Sequence, residues 1–292
     1  MIIDSHCHAW RAWPYDKKVP DPDHRGSIEA LLYEMDTHGV DHATVVCARI
    51  GDGAGGDGFG NEDNNDYVAA FARKHPDRIT PWVDIDCIWR KEHHTPGAVK
   101  RLNEELDRNN AIGFTHYVGQ QDGWFATDEG REFFRTAAER KVIASLAMGP
   151  EWFPALREIA KENPTLPILI HHMSFPGNNN GVYNQNDLDE LVKTAELPNV
   201  GVKISGFNYN SHKKWNFPYP DSQKLFKTIV DAYGVDRLYW GSDFPASRDM
   251  LTYTQAQEVL RSCVDYLSAA QKDLILGDNL ARLLKTRQVL PQ

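Results

Sequence analysis

The feature that most constrains this chain is an alternation. Short apolar runs with strand character recur at residues 1–8, 43–48, 79–85, 111–118, 142–148, 167–173, 200–205 and 237–243. Most are rich in Val and Ile or read as one continuous apolar stretch, the pattern of strands buried on both faces of a parallel sheet. Helix-like segments separate them, at 27–38, 65–75, 96–108, 128–140, 152–163, 186–195, 222–233 and 254–266. The first carries Ile28, Leu31, Leu32 and Met35 at helical spacing, with Ser27 placed as an N-cap and Gly39 as a C-cap. No Gly/Ser/Pro-rich linker interrupts the pattern and composition does not change at the midpoint. The economical reading is an α/β chain folded as one (β/α)₈ TIM barrel, a single domain over 1–292. A doubly wound open sheet is the structural alternative. It would require neither eight strands nor motifs at both chain ends.

Bulk properties set the outer limits. A chain of 292 residues with 41% hydrophobic and 25% charged composition can build one large core. The net charge of −9 argues against nucleic acid or an anionic membrane as the main partner, although a locally positive pocket still admits a small anionic substrate. The opening MIIDSHCHAW shows no cationic region followed by an apolar run, so no signal peptide is expected. No run approaches the roughly 18 apolar residues of a membrane-spanning helix. Cys7, Cys47, Cys87 and Cys263 are scattered without CxxC pairs, which suits a reducing, cytoplasmic setting. Cys7 lies between two histidines, but in a strand it points away from both. A homo-oligomer stays open.

Three irregular stretches follow strands, on the face where barrel enzymes build their sites. They are 51–65 (GDGAGGDGFGNEDNN), 175–183, and 207–220 (FNYNSHKKWNFPYP). The glycine run lacks the GK[ST] of a phosphate loop and reads as a flexible lid or loop.

The chemistry-bearing residues sit at strand ends. His6 and His8 share one face of strand 1, with Asp4 expected below them. Two imidazoles at one spot suggest a divalent metal, since neutral histidine is the commonest nitrogen ligand of zinc. HxH alone is a weak motif; its place at the end of the first strand strengthens it. Asp243 ends strand 8, which closes the barrel against strand 1, so it can reach a metal there or take a proton from water. Its blander role is a turn cap before Pro245. His171 and His172 end strand 6, and strand alternation admits only one of them to the interior. His116 ends strand 4 and raises the same choice between catalyst and satisfied core residue. Arg49, at the end of strand 2, and Lys203, in strand 7, are candidates to pair with a substrate carboxylate; Lys203 could instead snorkel. Trp10, Trp13, Tyr15, Trp124, Trp152, Tyr209 and Trp215 crowd the same loops. They either pack those loops onto the barrel rim or form a ring-stacking pocket, with Trp10 and Trp124 the candidates for substrate contact.

Taken together, these residues resemble the amidohydrolase superfamily, in its amidohydrolase-2 branch and the lactonase-like group within it. IIDSHCHAW looks like that group's IDxHxHxW opening. NNDYVAAFARKHPDRI resembles its passage from helix 2 to strand 3. GFTHYVGQ is similar to its strand-4 segment, and PNVGVKISGF, YWGSDFP and GDNLARLL to its strand 7, strand 8 and C-terminal helix. The resemblance runs from residue 2 to about residue 285.

The resemblance implies a hydrolase acting on a carbonyl compound, with a small-molecule substrate. It implies a lactonase opening a sugar-derived or muconolactone/pyrone-type lactone. The alternative is a metal-dependent nonoxidative decarboxylase of an aromatic or unsaturated acid. By position His6 and His8 match the HxH, His172 the strand-6 histidine and Asp243 the strand-8 aspartate. His6, His8 and Asp243 would hold at most one divalent ion, zinc or manganese. Asp243, His172 and His116 would move protons. The chain also departs from the pattern. Strand 5 (VIASLAMG) lacks the histidine of metal-binding decarboxylases, strand 4 lacks a lysine for a bridged binuclear centre, and Thr115 stands where arginine is common. Metal-independent catalysis therefore stays open. A third reading, a non-catalytic binding barrel, is disfavoured by four polar groups at the expected mouth.

Overall fold

The computed structural model describes residues 1–50, 56–119 and 122–287. Its parallel strands are β1 (Ile3–Cys7), β2 (His42–Cys47), β3 (Ile79–Asp84), β4 (Gly113–Tyr117), β5 (Ile143–Ala147), β6 (Ile168–Ile170), β7 (Val200–Ile204) and β8 (Leu238–Trp240). Each pairs with the next in sequence order, giving an eight-stranded sheet. The helices α1 (Ile28–His38), α2 (Asn64–Lys74), α3 (Ala98–Asn109), α4 (Asp128–Glu139), α5 (Phe153–Glu162), α6 (Gln185–Thr194), α7 (Pro220–Tyr233) and α8 (Tyr253–Arg261) follow the strands in turn. The sheet curls into a (β/α)₈ barrel, as the alternation predicts. Its first and last strands meet at their C-terminal ends. There the Asp243 N–H donates to the His6 carbonyl at 2.7 Å, and the His8 N–H donates to the Phe244 carbonyl at 2.6 Å.

Strand alternation sends neighbouring side chains to two cores. Val46, Trp82, Ile143 and Leu169 pack inside the barrel, joined by Leu280 and Leu284 of the helix Asn279–Lys285. Their neighbours Val45, Val83, Ala144, Ile168 and Ile170 pack outward against helix residues such as Leu31, Leu102 and Phe133. Each large side chain so buried contributes about 1.5–3 kcal/mol. Ser27 caps α1 by accepting from the Ala30 N–H at 3.2 Å, and Gly39 ends it in the left-handed region, as their positions in the sequence imply.

Two strands stop earlier than the apolar runs suggest, and both early stops matter. β6 ends at Ile170 rather than residue 173, because His172, Met173, Ser174 and Phe175 take positive φ and curl the chain over the barrel mouth. β8 ends at Trp240, and Asp243 takes φ 55. α8 likewise ends at Arg261 rather than residue 266.

Of the glycine-rich stretch, residues 51–55 lie outside the described residues. The described remainder is tied down rather than lid-like: the Gly58 and Phe59 N–H groups donate to the Pro14 and Trp13 carbonyls at 3.0 and 2.8 Å. A Cβ on Gly56 would sit 2.1 Å from the Pro14 oxygen, so only glycine permits this approach. The other two irregular stretches join each other. A short hairpin, Asn178–Asn179 with Val182–Tyr183, places Asn178 Nδ2 and the Tyr183 hydroxyl on the Asn210 carbonyl, which accepts from them at 2.7 and 2.8 Å. Among the described residues, no helix is long and apolar enough to cross a membrane.

Candidate active site

The early ends of β6 and β8, with the close of β1 against β8, bring a cluster of histidines onto one carboxylate. His6 projects inward from β1 and His8 follows it at the strand's end. Their Nε2 atoms each lie 3.4 Å from Asp243 Oδ1, and His172 Nε2 lies 3.8 Å from the same oxygen. All four side chains are buried. The other carboxylate oxygen, Oδ2, accepts from the Tyr209 hydroxyl at 2.5 Å and the Ser247 hydroxyl at 2.6 Å.

The hydrogen bonds behind the rings fix what they present. His8 Nδ1 lies 2.9 Å from the Val46 carbonyl, which can only accept, so Nδ1 carries the hydrogen and Nε2 aims a lone pair at Asp243. The Trp10 ring is stacked on His8 at 4.9 Å and holds its plane. His172 Nδ1 lies 3.0 Å from Ser205 Oγ. His6 Nε2 is buried and has no hydrogen-bond partner. The His8 lone pair facing a carboxylate oxygen at 3.4 Å needs an electrophile between them, and the partnerless His6 Nε2 presents a second nitrogen to the same point. Ligand atoms around one tetrahedral zinc ion, bonded at roughly 2.0–2.2 Å, stand about 3.3 Å apart. His6, His8 and Asp243 come within 4.8 Å of one another, so this donor set fits a divalent metal ion.

The protonation states are compatible. Burial, then Lys203 and His172, pushes His6 well below its ordinary pKa, and burial pulls His172 down to about 4. Both are neutral, ligand-competent imidazoles near pH 7. Burial opposes ionisation of Asp243, but the charge of His172 and hydrogen bonds from His6 and His8, in the states where those rings carry a proton toward it, outweigh burial and hold the carboxyl well below its usual range.

Several residues lie elsewhere than the sequence suggests. Both His171 and His172 turn inward, not one. Alternation along β6 brings in His171, whose Nε2 lies 2.5 Å from Ser145 Oγ, while the φ of 48 at His172 swings the second ring back to the mouth. Asp4 is not below the histidines. It faces the β8 seam and α8, where its carboxylate accepts from Ser242 and from the Tyr253 hydroxyl. The bulge in β1 between Asp4 and Cys7 breaks the simple alternation. Lys203 neither snorkels nor reaches the mouth. It is fully buried beneath His6, its Nζ 2.7 Å from Ser145 Oγ and 3.2 Å from His6 Nδ1, and burial drives its pKa well down. Arg49 leaves the barrel at the end of β2 and is engaged with Asp84 and Glu105. Neither cation is placed to hold a substrate at the histidine cluster.

His116 is also apart from that cluster. On β4 it is Tyr117 that turns inward, its ring 5.1 Å from His171. His116 faces the helix layer, with Phe133 at 5.9 Å and His94 Nε2 at 3.1 Å from its own Nε2. Trp124 belongs there too, stacked on His94 at 4.3 Å. Trp10 is 1% exposed and acts on His8, not on the pocket surface. Sequence reasoning gave no role to Tyr117, Ser145 or Ser247. Tyr117 and Ser145 had a signal available, since they occupy the inward register of their strands. Ser247 comes to Asp243 through the turn that follows it, which no periodicity marks.

A family model described as Amidohydrolase matches residues 3–286. Over 102 residues the chain is 32% identical to the L-fucono-1,5-lactonase of Burkholderia ambifaria, covering 34% of this chain and 33% of that protein. The chain spans 33% to 56% of the length of the curated relatives it matches. In fold it is similar to a probable 2-pyrone-4,6-dicarboxylic acid hydrolase of Acinetobacter baumannii with citric acid bound. The TM-score is 0.73 at 17% identity, over 97% of this chain and 99% of that one. An amidohydrolase of Burkholderia multivorans with bound zinc gives a TM-score of 0.71 at 19% identity, over 98% and 99% of the two chains.

Proposed function

The chain belongs to the amidohydrolase family and is an enzyme of it, and from that premise we propose that it is a lactonase, opening a sugar-derived lactone by adding water. One observation carries the reading. A single ionised carboxylate oxygen, Asp243 Oδ1, is held among three histidine nitrogens while its partner oxygen is fixed by Tyr209 and Ser247. That is a positioned proton acceptor beside proton carriers, the equipment of hydrolysis.

Water attacks the lactone carbonyl carbon, and its proton passes to Asp243 Oδ1. The tetrahedral adduct collapses by breaking the ring C–O bond. Asp243 returns the proton through His172 Nε2 to the departing alkoxide, so the product is the open hydroxy acid. A divalent ion, zinc or manganese, held by His6, His8 and Asp243 would supply Lewis acidity toward the carbonyl oxygen. Tyr209 and Ser247 keep the carboxylate from turning away, and Trp10 keeps His8 in plane. The relative that is named a lactonase supports the class. The placement of Arg49 and Lys203 away from the mouth favours a neutral sugar lactone over a pyrone or muconolactone bearing carboxylates. Decarboxylation is disfavoured, since the inward position of β5 is Ser145, engaged with Lys203 and His171.

The test is a panel of sugar lactones beside carboxylated pyrones, assayed on the purified protein and on Asp243→Asn. The variant keeps shape but loses the basic oxygen. Sugar-lactone hydrolysis is expected to fall about 10²-fold or more, within the usual range for positioned acid/base groups, while binding of a lactone analogue changes far less. Near-normal turnover in Asp243→Asn would remove Asp243 as the base. Exclusive turnover of pyrones would overturn the substrate class.

A further inference from the structure

A second set of three imidazoles converges outside the barrel, between the loop after β3 and the end of β4. We propose that His93, His94 and His116 form a distinct site for one divalent transition-metal ion, with zinc as the natural occupant and water in the fourth position. This exceeds the single ion that the sequence suggests, and it is independent of the lactonase reading.

The groups behind each imidazole fix where its ring hydrogen lies. His116 Nδ1 lies 2.9 Å from the Ile85 carbonyl, and His93 Nδ1 lies 2.6 Å from the Asp86 carbonyl. Carbonyls only accept, so both Nδ1 atoms carry hydrogen. His94 Nδ1 lies 2.5 Å from the Asp122 carboxylate, which requires a hydrogen there as well. Each neutral ring therefore presents an Nε2 lone pair. His94 Nε2 and His116 Nε2 face each other at 3.1 Å, and His93, whose ring is stacked on His94 at 3.8 Å, brings a third ligand nitrogen within 4.8 Å of both. Lone pairs at that spacing repel unless a cation or a proton lies between them. Carbonyl and carboxylate partners behind each ring are the arrangement that orients histidines on a metal and raises their basicity.

The alternative occupant is a proton, which would make His94 an imidazolium bridging Asp122 and His116. Burial works against a charged bridge there, since His116 is wholly withdrawn from solvent. Three neutral imidazoles suit zinc, nickel or copper and do not suit magnesium or calcium. The site is also built rigidly. Arg101 donates to both oxygens of Asp86, at 2.5 and 2.7 Å, and to the Thr95 carbonyl at 2.8 Å, fixing the loop that presents His93 and His94. Trp124 covers His94 at an interplanar angle of 6°. An ion here would clamp the β3 loop to β4 at the residue next to Tyr117, whose ring packs on His171.

The experiment measures metal on the full-length protein, stripped with a chelator, dialysed against Zn²⁺ and analysed for zinc per chain. Wild type is expected to hold about two ions if the central site also loads. His94→Ala should lose one equivalent and His6→Ala the other. Cobalt supplies a second readout: part of the visible ligand-field absorption should survive in His6→Ala and be missing from His94→Ala. Circular dichroism on each variant checks the fold, and His93→Gln gives a milder lesion should His94→Ala fail to fold. If wild type, His94→Ala and His93→Gln bind equal zinc, the outer site does not exist. If only His6→Ala is unaffected, the outer site stands and the central metal is what fails.

Discussion

The Tyr209 hydroxyl donates to Asp243 Oδ2 at 2.5 Å, and this bond ties a loop after β7 to the carboxylate at the end of β8. It shares that oxygen with Ser247 and leaves Oδ1 to the histidines. Hydrogen bonds to a charged acceptor contribute about 1.5–3 kcal/mol. Tyr209→Phe is therefore expected to lower lactone turnover by roughly 10- to 100-fold. The lost donor favoured the ionised form, so the acidic limb of the pH–rate profile should move to higher pH. A profile that keeps its shape with an unchanged limb would show that Tyr209 only packs the loop.

Gly241 permits the strand-1 histidine to approach strand 8. A Cβ added there would lie 2.7 Å from His6 Cβ and 3.0 Å from the His6 nitrogen. Those atoms belong to the backbone and to the root of the side chain, so neither can swing aside. Gly241→Ala should cost about 1–3 kcal/mol of stability, the usual range for overpacking, and displace His6. Urea unfolding and zinc content measured together test this. Unchanged stability with unchanged zinc would mean that the seam relaxes freely.

Much of the fold was legible in the sequence because a buried parallel strand and an amphipathic helix have different periods, and here they alternate cleanly. The site was less legible. His6, His8 and Asp243 could be placed because they sit at the two strands that close the barrel. His172 reaches the cluster for a reason alternation does not contain, the positive φ that follows β6. His116 is the converse case. The run 111–118 places it at a strand's C-terminal end, but the Gly113 and Tyr117 register turns it outward, and only the β3 loop's own histidines give it partners. Arg49 and Lys203 were not legible in the same way, because a cation at a strand end looks alike whether its counter-charge is a substrate or, as for Arg49, the buried Asp84.

Lys203 offers a separation of stability from function. Its amine is fully buried, against Ser145 Oγ, His6 Nδ1 and the face of Trp82 at 4.2 Å. A buried amine is expensive to desolvate, and an apolar side chain of similar length removes that cost. Lys203→Met should leave the thermal midpoint equal or higher. Turnover should fall by about 10-fold or more, because His6 loses the partner that orients its ring. A variant that is both less stable and fully active would reverse the assignment, making Lys203 a structural group with no hold on His6.

Acid sensitivity should trace in part to His116. Its folded pKa is about 3 against an ordinary 6.5, with burial as the main cause and the neighbouring His94 next. Between those values the unfolded chain binds a proton at this position that the folded chain does not. Stability from this group is therefore complete above about pH 6.5 and drains away as pH falls toward 3. His171 and His172 shift in the same direction, so the whole protein is expected to lose stability across that window. Urea midpoints recorded on metal-stripped protein at several pH values give the slope. Replacing His116 with Phe removes one proton-binding site from the unfolded state, and the slope should become shallower even if the variant is less stable at every pH. Parallel curves for the variant and the wild type would show that His116 is already protonated in the folded, metal-free protein.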